Sequence, residues 1–337
     1  MFQRILVPLD GSPRAERALP LATRLAQASG GTVVLLRVVY PSTERVKYPV
    51  DVAIVQEITD DELQEARNSL EALRERSRLS GVHTEITVVE GQDAATILSV
   101  TEAQHIDLIV LCSHGYTGLK RWVLGSVAEK VARYASVPVL LLRESGPALV
   151  DIPPRAEGPL RALVPLDGSA HAREALVPAA QLIAALATPG CGALHLMRVV
   201  VLPDSAKISP VEREAIIYKA RQYLIETVKQ IREGLVASPL VALKLAITWS
   251  ITIDDDCAAG IIRVAEEGED ALESGVPTRS DVIAMATHGS SGFERWAMGS
   301  VTERVLAGTR LPLLIVRPHK HHTPVANIPV QDEGIAG

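Results

Sequence analysis

The residues with the clearest chemical meaning lie in a stretch that occurs twice: SHGYTGLKRWVLGSVAEKV from Ser113 to Val131, and THGSSGFERWAMGSVTERV from Thr287 to Val305. In each copy a glycine (Gly115, Gly289) precedes a Gly-Ser pair (Gly125 and Ser126, Gly299 and Ser300) at the same spacing, and a helical pattern follows. Glycine lets backbone approach a ligand with no Cβ in the way. The free N–H groups of a helix start, with the positive end of its dipole, favour phosphate. The stretch reads as an anion cradle, present twice. A second recurring feature is Pro-Leu-Asp-Gly-Ser, beginning at Pro8, Leu9 and Asp10 and again at Pro165, Leu166 and Asp167. Aspartate before Gly-Ser has a common use as a cap-like residue that tightens a strand-to-helix turn, and that use is compatible with contact to a ligand.

Other residues in the repeat carry less. His114 and His288 recur, but no serine, carboxylate and histidine order supports a triad, so a loop role is expected and no catalytic residue is assigned. Trp122 and Trp296 read as anchors that pack the loop onto its domain. Lys120 and Arg121, or Arg295 in the second copy, are either phosphate contacts or solvated surface charges. His319, His321 and His322 fall in an irregular tail, and no protein metal site is assigned, because a site needs ligands fixed in space. GxxxxGK[ST] occurs nowhere, so a P-loop is not supported.

The elements that must position these residues are also duplicated. ILVPLDGS from Ile5 recurs as ALVPLDGS from Ala162. Each copy leads into an Ala-rich helix (AERALPLATRLAQAS; HAREALVPAAQLIAAL) and a β-rich run (TVVLLRVV; ALHLMRVVV). A longer helix follows, with a capping-box start at Thr59 and Glu62 in one half and at Ser209, Pro210 and Glu212 in the other. A third strand (HTEITVVE; VALKLAITW), a short helix (AATILSVTEAQ; CAAGIIRVAEEG), a strand into the glycine stretch, its helix, and a last strand (VPVLLLR; LPLLIVR) complete each half. Continuous Val, Leu and Ile runs alternating with helices mean parallel strands buried on both faces. The expected fold class is therefore α/β: two tandem doubly wound five-stranded parallel-sheet domains, Rossmann-like or flavodoxin-like, strand order 3-2-1-4-5. Expected boundaries are residues 1–145, a linker at 146–159 rich in Pro and Gly, residues 160–318, and the tail 319–337. The second half carries extra residues, placed around IDDDCAAG and the acidic run from Glu266 and read as a solvated loop.

Composition narrows the partners. The 337 residues suit two domains, and 47% hydrophobic with 22% charged residues suits a folded α/β chain whose cores, at 3% aromatic, rest on aliphatic side chains. A net charge of −6 with no basic stretch argues against nucleic acid as a partner. Cys112, Cys191 and Cys257 lack metal-type spacing and read as reduced cysteines, no run suggests a membrane span, and the start MFQRILVPLD reads as a strand and not a leader. A cytoplasmic location is expected.

With both landmarks in both halves, the chain resembles a tandem universal stress protein. That family's nucleotide signature is Gly, two residues, Gly, nine residues, then Gly followed by Ser or Thr. Gly115 with Gly125 and Ser126, and Gly289 with Gly299 and Ser300, match it, while Cys112 and Ala286 stand where its first glycine would be. The resemblance implies that Pro8, Leu9 and Asp10 hold the adenine and ribose end of an adenine nucleotide and that Val38 packs on the base. It implies that Gly115 approaches the ribose or phosphates, and that Gly125, Ser126, Val127 and Ala128 give N–H groups and a hydroxyl to phosphate. The matching second set is Pro165, Leu166, Asp167, Val199, Gly289, Gly299, Ser300, Val301 and Thr302. The expected ligand is ATP, or ADP or AMP, with Mg2+ carried by the nucleotide, and the expected role is a stress-response or signalling regulator. Alternatives are a slow ATPase or self-phosphorylating enzyme with Ser126 or Ser300 as acceptor, and an interaction module whose glycine loop is only structural. Relatives of this kind pair through their last strands, so an internal pseudo-dimer is expected, and a homodimer of whole chains remains open.

Overall fold

A computed structural model describes residues 1–40, 52–76, 79, 81–113, 125–144, 146, 149, 158–188, 190–202, 208–237, 239–268, 279–287 and 298–318. Gly115, Gly289, His114, His288, Lys120, Arg121, Trp122, Arg295, Trp296, His319, His321 and His322 lie outside the described residues.

The first half runs β1 (Arg4–Pro8), α1 (Pro13–Glu16), α2 (Leu19–Ser29), β2 (Thr32–Val39), α3 (Val52–Arg76), β3 (His83–Glu90), α4 (Asp93–Ala103), β4 (Leu108–Ser113), α5 (Ser126–Tyr134) and β5 (Val139–Arg143). The second runs β6 (Leu160–Pro165), α6 (Ala170–Arg173), α7 (Leu176–Ala187), β7 (Gly192–Val200), α8 (Pro210–Arg232), α9 (Pro239–Leu243), β8 (Ala246–Ile253), α10 (Cys257–Glu267), β9 (Val282–Ala286), α11 (Ser300–Gly308) and β10 (Leu313–Val316). All ten strands join one sheet in the order β3-β2-β1-β4-β5-β10-β9-β6-β7-β8. Each half therefore has the expected 3-2-1-4-5 order, and the pairs within each half are parallel.

The halves meet where β5 and β10 pair antiparallel, Leu140 opposite Leu314. An antiparallel junction between two parallel sheets relates them by a local two-fold, so each half covers the edge the other would expose. Charged groups at the seam repeat that symmetry. Arg143 ends β5 and donates to the Leu306 carbonyl in the last turn of α11. Arg317, its counterpart after β10, donates to the Tyr134 carbonyl at the end of α5, 3.0 Å away. A cation at a helix C-terminus satisfies an orphan carbonyl and complements the dipole. Arg133 adds a 2.9 Å ion pair to Glu303 across the seam.

Alternation along each strand builds two cores, one per sheet face. Ile5, Val7, Val33 and Leu35 pack with α2, α3, α7 and α8 on one face. Leu6, Val34 and Leu36 pack with α4, α5, α10 and α11 on the other. Among the described residues no helix is long and apolar enough to cross a membrane.

Several local readings change. The Ala-rich helix is two helices in each half, because Pro20 and Pro178 have no N–H to give and are tolerated only in a first turn, where α2 and α7 begin. Thr59 does not start a helix: α3 already runs from Val52, and the Thr59 hydroxyl donates to the Val55 carbonyl one turn back, at 2.9 Å. The capping box at Ser209 and Glu212 is present, with both reciprocal bonds. The third strand of the second half is Ala246–Ile253, and the residues before it form α9, opened by Pro239.

Candidate functional site

In a doubly wound sheet the crevice lies beyond the carboxyl ends of the strands where the winding reverses. In the first half that point is between β1 and β4. Backbone geometry there is set by an aspartate brace. Asp10 Oδ1 accepts from the Ser12 amide at 2.9 Å and from its hydroxyl at 2.6 Å. Ser12 Oγ in turn accepts from the Ala15 amide at 3.2 Å, capping α1. The cap is therefore Ser12, and Asp10 holds it in place. Gly11 makes the turn possible with φ +83, a conformation costly for other residues, and a methyl there would meet Arg37 Nη1 at 2.8 Å. Burial opposes ionisation of Asp10, but the Ser12 hydroxyl and amide and nearby Arg14 outweigh it and hold the carboxyl below its usual pKa. The second half repeats the brace: Asp167 accepts from Ser169 at 2.9 and 2.6 Å, and Ser169 caps α6 through Ala172 at 3.1 Å.

Opposite the brace stands the start of α5. Gly125 at the cap position has extended geometry (φ −60, ψ 143) and no side chain to cap with, and its carbonyl accepts from Glu129 at 2.9 Å. The N–H groups of Ser126, Val127 and Ala128 are the orphans of the first turn, directed at the crevice with the positive end of the dipole. α11 begins the same way at Gly299 (φ −61, ψ 143). One difference matters: Thr302, the counterpart of Ala128, spends its hydroxyl on the Ala286 carbonyl at 3.0 Å.

The structure brings together all the described residues singled out from the sequence. Pro8, Leu9, Asp10, Val38, Cys112, Gly125, Ser126, Val127 and Ala128 line one crevice of about 620 Å³. Pro165, Leu166, Asp167, Val199, Ala286, Gly299, Ser300, Val301 and Thr302 line another of about 140 Å³. Burial raises the thiol pKa of Cys112 in the first crevice and of Cys257 in the second, so both are protonated at neutral pH. Sequence reasoning missed the outer wall of the first crevice, made by Arg14 and Glu16 of α1, Arg37, Tyr40, and the α3 face carrying Glu62, Glu65, Ser69, Leu70 and Leu73. The signal was the spacing of three and four along α3, which puts those side chains on one face. Among the described residues no group of three or more His, Cys, Asp or Glu is placed to hold a metal.

Comparison with known proteins agrees with this architecture. The Universal stress protein family matches twice, over residues 1–143 and 160–317. Universal stress protein YxiE of Bacillus subtilis is 32% identical over 148 residues, 42% of this chain and 100% of its own length. A universal stress protein of Mycolicibacterium smegmatis is 23% identical over 319 residues, covering 93% of this chain and 97% of its own. The crystal structure of a universal stress protein from Archaeoglobus fulgidus superposes with a TM-score of 0.62 at 18% identity, over 93% of this chain and 98% of that one. The chain belongs to the universal stress protein family, with two copies of the family's domain in tandem.

Proposed function

We propose that the chain binds an adenine nucleotide, ATP with the Mg2+ it carries, or ADP or AMP, in the crevice at the carboxyl ends of β1 and β4. The observation that carries this reading is the convergence of the Asp10 brace and the uncapped start of α5 on one crevice of about 620 Å³. Small-molecule sites span about 300–1,000 Å³, so the volume suits a nucleotide. Phosphates meet the Ser126, Val127 and Ala128 amides, and the base lies towards Val38. Bound nucleotide then acts as a regulator by favouring one conformation or association state, through its differential affinity for the two, and serves a stress-response or signalling role. The test is to denature freshly purified protein and identify the nucleotide released by chromatography and mass. Adenine nucleotide near stoichiometric with the chain supports the reading. None released, and none taken up at millimolar ATP and Mg2+, contradicts it.

A further inference from the structure

The two crevices share their inner walls but not their outer ones. In the first, Arg37 donates to the Leu9 carbonyl at 3.4 Å, and α3 lines the outer side with Glu62, Glu65, Ala66, Ser69, Leu70 and Leu73. In the second, no residue of α8 lines the crevice. Arg198, which matches Arg37 in the repeat, instead sets its guanidinium 5.1 Å from the centre of the Tyr223 ring on α8. The same guanidinium lies against the β6–α6 turn, where a methyl on Gly168 would stand 3.3 Å from Nη1. It therefore bridges the turn and α8, whereas Arg37 lies against its own turn, 2.8 Å from a methyl placed on Gly11. Burial raises the Tyr223 phenol pKa against the opposing charges of Arg173 and Arg198. The second crevice is about 140 Å³ against about 620 Å³ for the first, and Arg198 and Tyr223 stand outside its lining, where Arg37 lines the first. The smaller space is below the range of sites that enclose a drug-sized ligand, about 300–1,000 Å³.

We infer that the cation–π contact between Arg198 and Tyr223 closes the second crevice to an adenine nucleotide, so that each chain carries one, in the first half. This rests on the nucleotide reading above. A guanidinium over an aromatic face is held electrostatically and by stacking, and the ring gives the contact its position on α8. The tandem arrangement thus consists of one binding half and one half kept shut.

Each crevice holds one cysteine, Cys112 in the first and Cys257 in the second, which allows the sites to be read separately. Nucleotide-free full-length chain is equilibrated with labelled ATP and Mg2+ by dialysis for the molar ratio. In parallel it is treated with N-ethylmaleimide, and modification of each cysteine is followed by peptide mass. The expected ratio is one. With ATP at about ten times its Kd, modification of Cys112 slows about tenfold, as mass action leaves about one site in eleven free, and Cys257 is unaffected. Tyr223→Ala and, independently, Arg198→Ala raise the ratio towards two and bring protection to Cys257, whereas Tyr223→Phe, which keeps the ring, stays at one. Two nucleotides per wild-type chain with both cysteines protected overturns the inference and leaves the nucleotide reading intact. So does a ratio that stays at one in both alanine variants, with their circular dichroism unchanged. Uptake by neither crevice overturns the nucleotide reading itself, and the inference with it.

Discussion

Replacing Ser126 by proline removes one of the three phosphate-facing N–H groups, and the hydroxyl beside it, with little disturbance of the helix. Proline is favoured at the first helical position, where its fixed φ suits the turn and its missing N–H has no intrahelical partner. It requires extended geometry in the residue before it, and Gly125 has φ −60 and ψ 143. The chain already uses this arrangement elsewhere: Pro13 opens α1 after Ser12 (φ −83, ψ 146), and Pro210 opens α8 after Ser209 (φ −71, ψ 153). Stability is therefore expected to change by less than about 0.5 kcal/mol, as for surface substitutions away from special features. A hydrogen bond from that amide to a charged phosphate contributes about 1.5–3 kcal/mol, so ATP affinity falls about 10- to 100-fold at about 1.4 kcal/mol per decade. Ser126→Ala isolates the hydroxyl's share. Isothermal titration with ATP and Mg2+ reads the affinity and urea unfolding the stability. Binding within about twofold of wild type by a normally folded Ser126→Pro chain, far short of that decade, refutes the placement of phosphate on α5.

Three further outcomes follow from the same geometry. Ser300→Pro, the equivalent change at α11, leaves nucleotide affinity and ratio unaltered because the second crevice is closed; a loss matching that of Ser126→Pro contradicts the asymmetry. Acid stability carries the mark of His195, 3% exposed and held between the hydroxyls of Thr248 at 2.8 Å and Ser250 at 2.9 Å, whose burial, with the charge of Arg161, lowers its pKa to about 4 from 6.5. The unfolded chain binds a proton there first, so stability falls as pH drops from about 6.5 to about 4, by about 3 kcal/mol for this group. His195→Val, the residue at the matching Val34, removes that slope from urea midpoints measured against pH, and an unchanged slope rules the assignment out. At the seam, Arg143→Met strands the Leu306 carbonyl and removes the 3.3 Å bond to the Ser113 hydroxyl, which keeps its 3.1 Å bond to the Leu142 carbonyl, and lowers the urea stability by about 1–3 kcal/mol; no loss means the seam does not depend on that residue.

The fold was legible because buried parallel strands read as unbroken aliphatic runs and because every element but α9 appears twice. HTEITVVE coincides with β3, and the capping box at Ser209 with the start of α8. Where the sequence misled, a local pattern was overruled by its surroundings. Thr59 and Glu62 satisfy the spacing of a cap, yet upstream residues extend α3 to Val52 and leave Thr59 inside it. Pro20 and Pro178 mark helix starts inside runs that read as continuous by composition. For the candidate site, the inner wall was readable because Asp10, Gly125 and their repeats belong to short motifs with a mechanism. The outer wall was not, since it depends on which face of α3 or α8 turns inward and on where Arg37 and Arg198 lay their guanidinium groups. Two arginines at equivalent positions look alike in sequence and differ in what they reach: the Leu9 carbonyl for one, the Tyr223 ring for the other.

The most direct measurement is a crystal structure of the full chain grown with ATP and Mg2+. The account predicts nucleotide density in the first crevice, with phosphate oxygens within hydrogen-bonding distance of the Ser126, Val127 and Ala128 amides and the base against Val38. Density that places the phosphates elsewhere, or an empty first crevice at saturating ATP, contradicts it.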